Sequence, residues 1–81
     1  MKRRISMEEN KQKILNALLP ALKLTRAGKD IISLELATQD DREFVLITWD
    51  LPLSIIEGRV NVTGDSGAAM IADVMKRVTG S

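Results

Sequence analysis

The clearest pattern along the chain is a broad apolar stripe in its first quarter. Met7, Ile14, Leu15, Leu18, Leu19 and Leu22 fall on one side of a helical wheel, the spacing of a helix that buries one face. Ser6-Met7-Glu8-Glu9 supplies its start, because the Ser6 hydroxyl can cap a free backbone N–H and Glu9 can reach back to it. Pro20 lacks an N–H and crowds the carbonyl of Asn16, so the helix is expected either to stop near Leu19 or to kink and run on to Lys23. Gly28 is expected to end the segment in a left-handed conformation.

Beyond Gly28 the helical period gives way to alternation. From Asp30 to Ala37, Ile32, Leu34 and Leu36 alternate with Ile31, Ser33, Glu35 and Ala37, which predicts a strand with one buried face. Thr38-Gln39-Asp40-Asp41 reads as a turn. Glu43 to Trp49 is apolar on both faces, Phe44 and Leu46 on one and Val45, Ile47 and Trp49 on the other, the mark of a central strand. After a break at Asp50-Leu51-Pro52, Ile56, Gly58, Val60 and Val62 share a face against Glu57, Arg59, Asn61 and Thr63, a third strand with an irregularity expected around Gly58. Asp65 or Ser66 can then cap a last helix. In it Ile71, Val74, Met75 and Val78 repeat at helical spacing, Lys76 and Arg77 sit near the carbonyl end, and Gly80 marks the stop.

The order α-β-β-β-α implies an α+β fold, a three-stranded antiparallel sheet with two helices packed on one face. Residues 1–5 read as a basic tail and residues 6–81 as a single α+β domain. Two helices cover only one side of a sheet. If they take the side of Ile32, Leu34, Leu36, Val60 and Val62, then Ile31, Val45, Ile47, Trp49 and Ile55 are left as an apolar patch, a candidate homodimer interface. Trp49 suits that interface and a core position equally well.

Composition removes more functions than it adds. The chain has 81 residues with neither Cys nor His, which excludes disulfides, thiolate metal sites and cysteine nucleophiles and withholds the commonest neutral-pH base. A chain of this length has a thin core that a partner can complete. No apolar stretch approaches a membrane span and no secretory pattern opens the chain, so the cytoplasm of a bacterial host cell is the expected location and a membrane is not an expected partner. Net charge is +1, but unevenly spread. Residues 1–29 carry +6, residues 30–58 carry −6 and residues 59–81 carry +1, a split that suits internal neutralisation or two copies meeting head to tail better than a basic arm.

The candidate chemistry is sparse. Gly64-Asp65-Ser66-Gly67 has the letters around a serine-protease nucleophile, yet no histidine exists to take the serine proton, so helix capping is favoured and no catalytic residue is assigned. The same loop offers an anion or small-nucleotide site at Thr63 to Gly67, formed by Gly64, Ser66 and Gly67 with Arg59 or Lys29 helping, although Asp65 already occupies the positive helix end. Asp40, Asp41 and Glu43 make an acidic tip with too few ligands for calcium, and neither a metal nor a cofactor is expected. Lys2-Arg3-Arg4 is short, and Lys11, Lys13, Lys23 and Arg26 form no continuous stripe. The element order is shared with double-stranded RNA-binding domains, but the last helix lacks their Lys-rich start.

Val60-Asn61-Val62-Thr63-Gly64-Asp65-Ser66-Gly67, leading into Ala69-Met70-Ile71-Ala72-Asp73, resembles the ending of small uncharacterised proteins carried by phages and prophages of Gram-positive bacteria. The likeness covers roughly the last quarter of the chain, and the chain departs from it at Ser54 to Glu57, where that group tends to have an aromatic. The resemblance implies a phage accessory protein and assigns no residue a role. The expected function is therefore that of a non-enzymatic accessory protein acting through protein–protein contact, as a homodimer, to modulate or inhibit a host system. Nucleic-acid association through the basic first third and anion binding at Thr63 to Gly67 are the alternatives.

Overall fold

A computed structural model describes residues 7–80. The basic tail and the capping roles of Ser6 and Glu9 lie outside the described residues. The elements follow the order α1 (Met7–Leu22), β1 (Ile31–Gln39), β2 (Arg42–Leu51), β3 (Ser54–Asn61) and α2 (Gly67–Thr79). The strands form one antiparallel sheet in the order β1-β2-β3, so the protein has the α+β architecture implied by its sequence pattern.

Helix α1 continues through Pro20 to Leu22. The proline lies exposed in the last turn, where a carbonyl deprived of its N–H can meet water. The exit is held by Thr25, whose hydroxyl donates to Leu22 O at 2.7 Å and accepts from Gly28 N–H at 3.0 Å. Gly28 is not left-handed, contrary to the expectation; among glycines only Gly64 and Gly80 have positive φ. Close approach requires it instead, since a Cβ there would stand 2.5 Å from Leu22 O.

The β1–β2 turn is tighter than the four residues expected. Gln39 pairs with Arg42, leaving Asp40 and Asp41 as a two-residue loop with φ of 53° and 66°, the double left-handed geometry whose twist matches a hairpin. Helix α2 starts from Ser66, whose Oγ accepts from Ala69 N–H at 3.1 Å, and ends at Gly80 with φ 79°.

Both helices lie on one sheet face, the expected one for Leu34, Leu36, Val60 and Val62, but Ile31, Val45, Ile47 and Trp49, expected on the other face, share it. Ile31, Val45 and Ile47 are fully buried with Leu15, Leu22, Leu34, Val62, Met70 and Val74, and Trp49 packs against this core. For β2 the cause is its register: Ile47 lies opposite Leu34 and Gly58, and Val45 opposite Leu36 and Val60, so these residues share one side. For Ile31 the cause is local. The register slips between Ile31 and Ser33, a β-bulge that gives β1 one extra residue and flips the alternation. Ile31 therefore shares the helix side with Leu34 and Leu36, and Ile32 turns outward. The irregularity expected at Gly58 is absent, because β3 pairs with β2 without a slip from Ser54 to Asn61. Each aliphatic side chain buried here contributes roughly 1.5–3 kcal/mol. Gly58 faces the helices, and a Cβ there would meet Trp49 at 3.0 Å and an Arg77 nitrogen at 2.9 Å.

Candidate functional site

The two margins of the sheet differ in how their backbone is satisfied. On β1 two of the outward groups are met by a side chain of α1: Gln12 Nε2 donates to Leu34 O at 3.2 Å, and Leu36 N–H donates to Gln12 Oε1 at 2.8 Å. On β3 the phase is set by Val62 N–H donating to Glu43 O at 2.9 Å. Antiparallel pairing alternates along a strand, so Val60, Gly58 and Ile56 turn their backbone groups to β2, whereas Ile55, Glu57, Arg59 and Asn61 turn theirs outward. No described residue makes a hydrogen bond to the outward groups of Ile55, Glu57 or Arg59.

The start of β3 is also where apolar surface collects. Leu53 at the hairpin tip is 98% exposed, Ile55 67% and Ile56 45%, with Ile32 exposed on β1. Beside the other half of β3 lies a groove of about 520 Å³ lined by Val60, Asn61, Asp73, Lys76 and Arg77 among others. On the sheet face away from the helices, Phe44 and Leu46 are half-buried among polar neighbours, and the Arg59 guanidinium sits 4.8 Å from the Phe44 ring centre, within cation–π range.

At the opposite end of β3 a lysine is buried. Lys11 is 2% exposed, with Nζ 2.6 Å from Glu43 Oε1 and 3.4 Å from Val62 O. The pair joins α1 to the start of β2 and the exit from β3. Next to it, Asp65 is held above its ordinary value of 3.8, first by a carboxyl–carboxyl hydrogen bond with Asp73, then by burial and the Asp73 charge, with Lys11 pulling it down and Glu43 adding to the rise. Asp65 Oδ2 is buried without a partner among the described residues. Among those residues no group of three or more carboxylates is arranged to hold a metal ion.

The residues singled out in the sequence are therefore redistributed. Of the candidate interface set, Ile31, Val45 and Ile47 lie under the helices, Trp49 is half-buried on that same side, and Ile55 alone stands on the open side. Phe44 and Leu46 take the place of the others. In the candidate anion loop Ser66 is occupied as a cap, and Thr63 and Gly64 line a groove with Arg42 and Glu43, while Arg59 lines the one beside α2. The basic first third loses two of its cations as free charges, Lys11 to Glu43 and Lys29 to Asp30 at 3.3 Å. Sequence reading missed Lys11 and Gln12. The signal for Lys11 was its i, i+4 spacing to Leu15, which puts it on the buried stripe; no comparable signal marks Gln12. No protein-family model, curated protein or solved structure matches the chain.

Proposed function

We propose that the protein works by binding other protein surfaces through the uncovered margin of its sheet, as a phage accessory protein that modulates a host system, and not by turning over a substrate. The observation that carries this reading is the joint placement of exposed Leu53, Ile55 and Ile56 with the unpaired backbone of β3. An exposed apolar group beside an open strand edge is what extended-chain and sheet-to-sheet recognition use. The phage-like ending of the chain supports the accessory role. Among the described residues no helix is long and apolar enough to cross a membrane.

The test is a double variant, Leu53→Lys with Ile55→Lys. Both side chains are exposed, so the melting temperature should stay close to that of the parent protein. Recovery of bound protein from Gram-positive cell extract by the tagged chain, and its self-association in sedimentation equilibrium, should both fall. Unchanged recovery together with unchanged association would refute the reading.

A further inference from the structure

Resting on that reading, we infer that the partner at the β3 edge is a second copy of the same chain, paired antiparallel about a two-fold axis at Gly58 to make one continuous sheet.

The register follows from faces, hydrogen-bond phase and charge. A two-fold axis normal to the sheet keeps the helices of both copies on one side, so even-numbered residues of β3 must oppose even-numbered ones and odd oppose odd. The outward backbone groups belong to Ile55, Glu57, Arg59 and Asn61, so these residues must form the hydrogen-bonded pairs. Near the middle of β3, an axis at Glu57 sets Glu57 against the partner's Glu57, and an axis at Arg59 sets Arg59 against the partner's Arg59. Like charges directly opposite are unfavourable. An axis at Gly58 instead sets Glu57 against the partner's Arg59, twice by symmetry, and Ile55 against the partner's Asn61, each a hydrogen-bonded pair of the required phase.

On the helix side this register sets Ile56 against the partner's Val60. Ile56 is 45% exposed, and Val60 lines the groove of about 520 Å³ between β3 and α2. The exposed isoleucine of each copy thus enters the groove of the other. At the axis Gly58 faces Gly58, with no side chain to hold the strands apart. One term opposes association: each Arg77 lies over its own Gly58, so the two guanidinium groups approach across the axis. Arg77 is exposed, and solvent there weakens the repulsion.

The experiment is a charge swap on the full chain, read by sedimentation equilibrium. The parent should sediment as a reversible dimer. Glu57→Arg alone and Arg59→Glu alone each set like charges opposite, and each should raise the dimer dissociation constant by about tenfold. The double variant Glu57→Arg with Arg59→Glu restores unlike pairs and should recover most of the loss. Circular dichroism should show all three variants folded, since both side chains are exposed. A monomeric parent, single variants that associate as well as the parent, or a double variant no better than the singles would each overturn the inference. Those outcomes are separable from failure of the broader reading, because loss of partner recovery in the Leu53→Lys, Ile55→Lys variant does not depend on the register at Gly58.

Discussion

The two edges of this sheet are made of similar strands and meet opposite fates. β1 lies against α1, and Gln12 satisfies Leu34 O and Leu36 N–H; β3 keeps the backbone of Ile55, Glu57 and Arg59 directed outward with no described partner. The difference does not lie in strand propensity, since both strands are rich in β-branched and aliphatic residues. It comes from where the first helix lands. α1 crosses close to β1, and α2 touches β3 more lightly. An edge is closed or open according to the side chain a neighbouring helix can offer it.

Breaking what fastens α1 to the sheet should have the largest effect. Lys11→Ala leaves Glu43, whose side chain is 17% exposed, without its cation, and removal of one partner from a buried ion pair should cost about 3 kcal/mol. Urea denaturation measures this; a loss below what a surface pair gives would mean that water already screens the contact. Gln12→Ala should cost less, about 1–2 kcal/mol, because two backbone groups lose their partner at a part-buried edge. Amide exchange at Leu36 should accelerate while that at Val45 stays slow. Equal protection at Leu36 in the variant and the parent would show that Gln12 does not close the edge.

The smallest effect sharpens the picture at the loop between β3 and α2. Asp65 has its affinity for a proton raised in the folded state, so it binds the proton more tightly folded than unfolded. Its ionisation therefore costs stability at neutral pH. That cost disappears as pH falls through the raised value toward 3.8, the opposite of a salt-bridged carboxylate. Asp65→Asn should raise the melting temperature at pH 7 and flatten this part of its pH dependence. A melting temperature that drops at pH 7 would show that the Asp65 charge supports the fold.

Much of the fold was legible because its signals are local. The period of α1, the two-sided apolar run of β2, the Ser66 cap and the Gly80 stop each depend on a few neighbouring residues. The two-sidedness of β2 also announced that one sheet face would stay open. Which side of β2 joins Leu34, Leu36, Val60 and Val62 was not legible, because it depends on the register of β2 against both neighbours, and the exchange of Ile32 for Ile31 depends on a bulge that no glycine or proline marks. The edge site was legible only in part. Ile55 was singled out in the apolar patch of the uncovered face, but the outward phase of Glu57 and Arg59 depends on pairing with β2, and the partial closure of β1 depends on Gln12 from a helix far away in sequence.

The grip of Gln12 on β1 also bears on how the proposed assembly would end. A sheet with two bare edges can add strands at both sides, and identical chains doing so grow into a fibre. In the proposed dimer each outer edge is a β1 on which Gln12 already holds Leu34 O and Leu36 N–H, which works against the addition of a third copy. In that proposed assembly, one neutral amide on α1 stands between a pair and a growing polymer.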